Sequence, residues 1–331
     1  MKGNWTCYML AWLLAVANVA WADAQTGPYP NKPVQIITDS SAGSTPDVAL
    51  RFVADGLTQV WKQQVLVNNH PGAGGSLAVR LAAAATPDGY TLDGYTLYQP
   101  VLSTFVSLHP AAPNVPIHIP QDFLPIGFVA ENPMFLAVAP SLGISILPKL
   151  IARAKKAPGE ITYATTGIGR LTHLTGELLQ REAGIKLLLV PYTGGPSHAV
   201  TDVATGRVAM IIEGYSGVAG AARSGSIKLI AVASAKRLAE FPDVPTVAET
   251  IPGFQATGWA VLVAPIGTPE AIIDKVSEDL RKVTLDPELQ RKLAPLGSYR
   301  NPMSAAETTA FVHKQQQTWQ PILDEIAKNQ R

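Results

Sequence analysis

Cysteine is nearly absent from this chain, and charged residues are sparse. The 331 residues contain one cysteine, Cys7, and 15% charged residues, with 26 basic against 25 acidic side chains. Cys7 lies in an N-terminal segment that we expect to be removed, so the mature chain offers no disulfide and no cysteine metal site. The net charge of +1 leaves no basic stripe for nucleic acid. Nucleic acid is therefore excluded as an expected partner.

The patterns that usually indicate catalysis or metal binding are also missing. No His-x-x-x-His pair occurs among the six histidines, which are His70, His109, His118, His173, His198 and His313. There is no Walker loop, no Gly-x-Gly-x-x-Gly after a strand and no Gly-x-Ser-x-Gly elbow. No close pair of carboxylates suits glycoside chemistry. Without a nucleophile–base pair either, we predict that the protein is not an enzyme and holds neither a metal nor a cofactor.

The first 24 residues have the pattern of a secretory signal peptide. Lys2 supplies the positive start, residues 9–17 are apolar, and Ala20 and Ala22 fit a cleavage site, with Ala22 and Ala24 as the second choice. A membrane anchor would need about 20 apolar residues, and this segment is shorter. We therefore expect cleavage near Ala22 or Ala24 and export of the mature chain.

The most informative stretch begins as a strand and continues as a helix. Val34–Thr38 is β-branched and apolar, which predicts a buried strand, and apolar residues at helical spacing follow the loop 39–47. In that loop, Ser44 or Thr45 can cap the helix, and Asp47 can complete a capping box from Ser44. Backbone N–H groups and the helix dipole at such a start favour an anion. On this stretch alone, an ordinary strand–helix turn is the favoured interpretation of the same residues.

The same pattern returns later in the chain. A predicted strand at 161–164 leads through a Gly/Thr loop at 165–170 into a predicted helix at 172–182. Two further strands are predicted at 127–130 and 135–139. Strands and helices alternate, which predicts an α/β fold with parallel strands and right-handed crossovers. The length allows two lobes or one large domain.

Three polar residues of the second half have alternative roles. Arg170 precedes a helix start, where a cation is electrostatically disfavoured, so it is either exposed or paired with a ligand carboxylate. His173, in the first helical turn, is favoured as a packed or capping residue over an acid–base group. Glu213, at a strand end, is either a cleft residue that accepts hydrogen bonds, which we favour, or a structural anchor.

A series of short motifs runs through the whole mature chain. They are Tyr29-Pro-Asn-Lys-Pro-Val34, Pro71-Gly-Ala-Gly-Gly75, Pro87-Asp-Gly-Tyr-Thr-Leu92, Asp122-Phe-Leu-Pro-Ile126, His173-Leu-Thr-Gly-Glu177, Val190-Pro-Tyr-Thr-Gly194, Phe241-Pro-Asp-Val-Pro-Thr246 and Ala264-Pro-Ile-Gly-Thr-Pro269. Together they resemble the Bug family, the periplasmic solute receptors of tripartite tricarboxylate transporters. The resemblance implies a periplasmic location and a two-lobed binding protein of the Venus-flytrap type.

The resemblance also implies a layout of lobes and a ligand site. Residues 25–128 with 234–331 would form one lobe and 129–233 the other, each a mostly parallel sheet flanked by helices. The implied ligand is a small organic anion, a mono- or dicarboxylate with aromatic acids included. The expected contacts are Ser40, Ser41, Ala42, Gly43, Ser44, Thr45, Thr165, Thr166, Gly167, Gly169, Arg170, Thr172, His173 and Glu213. The expected partners are the membrane subunits of a tripartite transporter, served by a monomeric receptor.

The sequence departs from the family pattern inside both loops. The family usually has Pro-Phe where Asp39 and Ser40 stand, a glycine pair where Gly43 and Ser44 stand, and a small residue at the position of Arg170. The identity of the ligand therefore stays open among aromatic dicarboxylates, citrate-like acids, amino acids and neutral analogues. Two other functions also stay open, a receptor that feeds a sensor kinase and, less favoured, an exported enzyme.

Overall fold

The computed structural model describes residues 29–86, 95–106 and 115–329. The predicted signal peptide, with its cleavage site near Ala22 or Ala24, lies outside these residues. Among the helices of the described ranges, none combines the length and the apolar character that crossing a bilayer requires.

Nine strands and ten α-helices form the described part of the chain. The strands are β1 (Val34–Thr38), β2 (Val65–Asn69), β3 (Tyr95–Gln99), β4 (Phe123–Val138), β5 (Thr162–Thr165), β6 (Leu188–Pro191), β7 (Met210–Gly214), β8 (Lys228–Val232) and β9 (Thr257–Pro265). The helices are α1 (Thr45–Trp61), α2 (Ser76–Ala83), α3 (Leu102–Phe105), α4 (Leu147–Lys156), α5 (Leu171–Ala183), α6 (Pro196–Ala204), α7 (Tyr215–Arg223), α8 (Glu270–Leu285), α9 (Pro287–Leu293) and α10 (Ala305–Asn329). Their alternation confirms the predicted α/β class.

The strands form two sheets that share strand β4. The first has the order β2-β1-β3-β9-β4, and the second places β8 and β7 on β4, followed by β5 and β6. In the first sheet only β9 runs against the other four strands, and in the second only β4 does. Each lobe is therefore built on a mostly parallel sheet, as predicted.

Strand β4 joins the two lobes, and here the sequence prediction was wrong. Two separate strands were expected, whereas Phe123–Val138 is one strand of 16 residues. The positions up to Pro133 pair with β9, and those from Met134 onward pair with β7 and β8. A proline has no N–H to donate and indicates a break within a strand. Pro133 is tolerated because it lies where β4 changes partners.

Helix α1 packs by the apolar face that its spacing predicts. Leu50, Val53 and Leu57 are completely buried, and Trp61 is 7% exposed. The indole N–H of Trp61 donates to Asp279 Oδ2 on α8 at 2.7 Å. Each buried leucine contributes roughly 1.5–3 kcal/mol of hydrophobic stabilisation. These contacts hold helix α8, from the C-terminal part of the chain, on the same lobe as β1.

Gly176 sets how closely helix α5 approaches strand β5. A Cβ at this position would lie 2.3 Å from Cε2 of Tyr163. The Tyr163 side chain is completely buried, and its hydroxyl donates to Glu177 Oε1 at 2.9 Å. Because β5 ends and α5 begins at the two ends of the loop 165–170, this close contact fixes the position of that loop.

We predict that Gly176→Ala destabilises the protein, by about 1–3 kcal/mol, because the added methyl group overpacks against Tyr163. The matched control is Gly220→Ala in helix α7, where a Cβ meets nothing within 4 Å. That change should stabilise the fold by roughly 0.5–1 kcal/mol through helix propensity. Urea unfolding of both variants measures the difference, and equal effects of the two substitutions would contradict the packing argument.

Candidate functional site

A cavity of about 80 Å³ lies between the loop that follows β1 and the loop that follows β5. Both loops leave the carboxyl ends of parallel strands, which is where ligands bind in open α/β sheets. About 10–15 Å³ of such volume accommodates one water molecule. The cavity therefore has room for a molecule of the size of a small organic acid.

Half of the predicted contact residues line this cavity. They are Ser40, Ser41, Ser44, Thr166, Arg170, Thr172 and Glu213. The other half lies in the same two strand–loop–helix elements but not on the cavity wall; these are Ala42, Gly43, Thr45, Thr165, Gly167, Gly169 and His173. Sequence position alone cannot tell these two groups apart, because neighbouring loop residues point in different directions.

Some of the residues outside the cavity wall are exposed, and others have structural contacts of their own. Ala42 and Gly43 are exposed, and Gly43 has a φ of +76°. Thr45 is buried against the second lobe, where its Oγ1 accepts from the N–H of Ser216 at 3.2 Å. His173 Nδ1 accepts from the N–H of Gly169 at 3.2 Å, so the imidazole caps the loop.

Helix α1 begins differently from the predicted capping box. Ser44 is the N-cap residue, but its hydroxyl makes no capping hydrogen bond. Asp47 instead accepts from the N–H of Gly43 at 2.9 Å, from Asn69 Nδ2 at 2.7 Å and from Arg51. The loop is thus braced by Asp47, and the hydroxyl of Ser44 is left for other partners.

Two buried serine hydroxyls of this loop have no hydrogen-bond partner. Ser40 is 3% exposed and Ser44 is 7% exposed, and both line the cavity. A buried polar group without a partner costs about 1–3 kcal/mol. The two hydroxyls therefore favour a polar ligand in the cavity, at the positive end of the 17-residue helix α1.

Arg170 reaches from the second lobe to Asp39 on the first. Its Nη1 lies 3.7 Å from Asp39 Oδ1, and its Nη2 donates to the backbone oxygen of Asp39. Nη1 also donates to Ser103 Oγ at 3.4 Å. The Arg170 side chain is 12% exposed and Asp39 is completely buried. The guanidinium is therefore not freely exposed, and its carboxylate partner is Asp39 of the protein itself.

Two hydroxyl groups donate hydrogen bonds to the second carboxylate oxygen of Asp39, Oδ2. The hydroxyl of Tyr98 donates to Asp39 Oδ2 at 3.2 Å, and the hydroxyl of Thr104 donates to the same oxygen. Burial raises the pKa of Asp39, and the nearby Arg170 guanidinium and the two hydroxyls oppose that rise. Two of the departures from the family pattern, Asp39 and Arg170, therefore compensate each other in charge.

Glu213 is the second carboxyl group of the site, and it lines the cavity. It is 3% exposed; its Oε1 accepts from the N–H of Gly214 at 3.0 Å, and its Oε2 has no hydrogen-bond partner. Burial raises the pKa of Glu213 to about 7, against smaller opposing effects of the Gly214 N–H and the Thr166 hydroxyl. The cavity therefore contains an acceptor that titrates near neutral pH.

The two lobes also touch directly beside the cavity. A Cβ at Gly214 would lie 2.2 Å from Thr45 Oγ1, so this position allows no side chain. Gly214 belongs to β7 of the second lobe, and Thr45 opens α1 of the first. This contact and the Asp39–Arg170 pair both join the two lobes beside the cavity, so the lobes are in a closed arrangement.

Two residues at the starts of α1 and α5, and seven from segments that cross between the lobes or follow β3, line the cavity without having been predicted. They are Pro46, Val101, Leu102, Ser103, Asn132, Met134, Leu171, Gly258 and Trp259. Trp259 also packs on Phe105 and Phe311. No local signal marks Asn132, whose Oδ1 accepts from Ser298 Oγ at 2.5 Å.

Metal binding finds no support in the described part of the chain. Among the residues at 29–86, 95–106 and 115–329, no group of three or more histidine, cysteine, aspartate or glutamate side chains is placed to hold a metal ion.

A two-lobed α/β fold, with a cavity between two strand–loop–helix elements, defines a periplasmic binding protein of the Venus-flytrap type. The model of the tripartite tricarboxylate transporter receptor family, TctC, matches residues 49–328. The chain belongs to this family of solute-binding receptors.

Curated relatives agree with this assignment over nearly the whole chain. A UPF0065 protein of Bordetella bronchiseptica is 33% identical over 315 residues, which cover 95% of this chain and 91% of the relative. Protein BugT of Bordetella pertussis is 32% identical over 314 residues and 94% of each chain. The Bug family resemblance drawn from the motifs is confirmed.

Solved structures show the same fold. The periplasmic binding protein BugD superposes with a TM-score of 0.80 at 29% identity, covering 90% of this chain and 98% of BugD. Rpa4515 of R. palustris, solved with adipate, gives a TM-score of 0.82 at 25% identity over 89% and 97% of the two chains. MatC from Rhodopseudomonas palustris, with bound malate, gives 0.76 at 25% identity over 89% and 100%.

We predict a coupling between Asp39 and Arg170 of about 1–3 kcal/mol in a double-mutant cycle of Asp39→Asn and Arg170→Met. Removing either partner leaves the other buried without it, so the double variant should lose less than the sum of the single variants. Urea unfolding measures all four proteins. The control cycle is Arg207 with Asp202, where the Arg207 side chain is 73% exposed and the coupling should be smaller. Additive losses at Asp39 and Arg170 would refute the interaction.

A second prediction concerns Glu213 and pH. Its folded pKa of about 7 exceeds the ordinary 4.5, so the folded state holds a proton that the unfolded chain releases. The resulting stability is fully present below about pH 4.5 and is lost as the pH rises through 7. Relative to the wild type, Glu213→Gln should therefore gain up to about 3 kcal/mol between pH 5 and pH 8.

Thermal unfolding at the two pH values measures this gain. Glu160→Gln, at an exposed position, is the control and should follow the wild type at both. A Glu213→Gln variant whose Tm difference from the wild type is the same at pH 5 and pH 8 would show that the carboxyl group is not held as described.

Proposed function

We propose that this receptor captures a small organic acid, a mono- or dicarboxylate, in the cavity between its lobes. The observation that carries the proposal is the pair of buried, unpartnered hydroxyls of Ser40 and Ser44 at the start of α1. Hydroxyl groups and backbone N–H groups at a helix N-terminus donate hydrogen bonds to an anion. A carboxylate of the ligand would accept a hydrogen bond from each of the two serine hydroxyls.

The second loop supplies the opposite wall of the proposed site. Thr166 and Thr172 line the cavity, and their hydroxyls lie 3.2 Å apart. The apolar side chains of Leu171, Met134 and Trp259 also line the cavity. A few polar groups on an otherwise apolar wall are typical of small-molecule sites, in which the polar groups orient the ligand.

The solved relatives support a carboxylate ligand for this chain. Rpa4515 was solved with adipate and MatC with malate, and both are aliphatic dicarboxylates. We extend the class of ligand, not its identity, to this receptor. In the same proposal, the exported monomer acts in the periplasm after removal of residues 1–24, delivers the acid to the membrane subunits of a tripartite transporter and catalyses no reaction.

Ligand release would follow from movement of the two lobes. The proposed units are residues 25–128 with 234–331 and residues 129–233, connected through β4 and the segment around Ala233. Ala233 donates to the backbone oxygen of Met134 and accepts from the N–H of Ala256. Few residues at such crossings need to change their backbone angles for a hinge to open.

We predict that small carboxylates raise the Tm of the mature protein, by an amount that corresponds to about 2.7 kcal/mol at a ligand concentration of 100 Kd. Ser44→Ala should weaken binding roughly tenfold or more, because a hydrogen bond to a charged group is worth about 1.5–3 kcal/mol. Calorimetric titration of both proteins measures the effect.

Ser76→Ala is the matched control for this experiment. Its hydroxyl is also buried without a partner, but Ser76 does not line the cavity, so its substitution should leave the Kd unchanged. If no acid in a broad panel shifts the Tm, the proposed function is wrong. If Ser76→Ala weakens binding as much as Ser44→Ala does, the assignment of the serine contacts is wrong.

A further inference from the structure

The carboxyl group of Glu213 is the feature that a simple anion site does not explain. An anion receptor gains nothing from an ionised carboxylate buried on its cavity wall, because like charges repel most strongly where water is excluded. Yet Glu213 lines the cavity at 3% exposure, with Oε2 lacking any hydrogen-bond partner. No hydrogen bond from a described residue reaches this oxygen, although the Thr166 hydroxyl lies near enough to the carboxyl group to oppose the rise of its pKa.

The side chain of Glu213 is held firmly in place. Its Oε1 accepts from the N–H of Gly214 at 3.0 Å. A Cβ at Gly217 would lie 2.8 Å from Glu213 Cγ, so helix α7 packs directly against the side chain. The carboxyl group cannot turn away to solvent. Oε2 is therefore the oxygen that meets whatever occupies the cavity.

The charges around the cavity leave no cation free for a second ligand carboxylate. Arg170 is the one basic residue among the described residues that line the cavity. Its guanidinium lies 3.7 Å from Asp39 Oδ1 and donates to Asp39 O and Ser103 Oγ. A plain dicarboxylate would thus place its second negative group near Glu213 without a free positive partner.

We propose that the ligand of this receptor carries a hydrogen-bond donor, a hydroxyl or an ammonium group, beside its carboxylate, and that Glu213 Oε2 accepts from this group. The proposal rests on the carboxylate-receptor function proposed above and narrows its ligand class. The carboxylate meets Ser40 and Ser44 on the first lobe, and the donor meets Glu213 on the second. Small hydroxy acids and amino acids have this chemistry, and the size of the cavity suits them.

The test uses calorimetric titrations of the mature protein with two series of acids, and the acids within each series share a carbon skeleton. Succinate, malate and aspartate form one series; propionate, lactate and alanine form the other. In at least one series, the hydroxy or amino acid should bind about tenfold or more tightly than the plain acid, as expected for a hydrogen bond to a charged acceptor. Preference for the amino acid over the hydroxy acid would identify the donor as ammonium, and the reverse order would identify it as hydroxyl.

The Glu213→Met variant should abolish this preference while still binding the plain acid, because methionine fills a similar volume and accepts no strong hydrogen bond. Glu160→Met, at an exposed position, is the control and should keep the preference. If Glu213→Met does not fold, Glu213→Gln should lower the affinity for the amino acid and spare the plain acid. The comparison of acids on the wild type needs no variant.

The outcomes separate this inference from the proposed function. If none of the six acids and no larger carboxylate binds, the carboxylate-receptor function fails. If acids bind but succinate and propionate are held as tightly as their substituted counterparts, the function stands and the role of Glu213 as acceptor is overturned. A preference that survives in Glu213→Met overturns it as well.

Discussion

The ion pair between Asp39 and Arg170 is the interaction on which the closed site depends. It joins the end of β1 in the first lobe to the start of α5 in the second. A buried charge without a partner is strongly destabilising, so each residue needs the other to occupy its place. Because Tyr98, Thr104 and Ser103 also contact the pair, its position is fixed from several sides. The two loops that border the cavity are thereby held at one separation.

Local sequence patterns predicted the elements that carry the site, for a definite physical reason. Val34–Thr38 and the helix after it were recognisable because strand and helix periodicities are properties of neighbouring residues. The same holds for the strand and helix on either side of Arg170. The pairing of Arg170 with Asp39 was not predictable, since the two are 131 positions apart. Only the packing of the lobes brings them together, and a single sequence contains no record of that contact.

The cavity wall shows the same limit. Asn132, Gly258 and Trp259 belong to β4 and β9, the long strands that pair with each other between the lobes. Their register is fixed by a ladder of cross-strand pairs with two irregularities, and no local pattern encodes it. Pro133 made the single strand β4 harder still to predict. In a sequence, a proline between two sets of strand hydrogen bonds looks like the end of a strand. Residues that border a site from a crossing strand are thus the hardest to identify from sequence.

The free polar atoms of the cavity are distributed unequally between the lobes, and this has a consequence for closure. Ser40 and Ser44 on the first lobe carry hydroxyls that can donate, whereas Glu213 on the second carries an oxygen that, when ionised, only accepts. Under the proposed function, one ligand satisfies both sets only when the lobes are together. A ligand shifts a conformational equilibrium by its difference in affinity for the two states. An open receptor contacts the ligand through only one lobe at a time, whereas the closed receptor contacts it through both. A ligand that bridges the lobes therefore stabilises the closed form, beyond the stabilisation that Asp39 and Arg170 already provide.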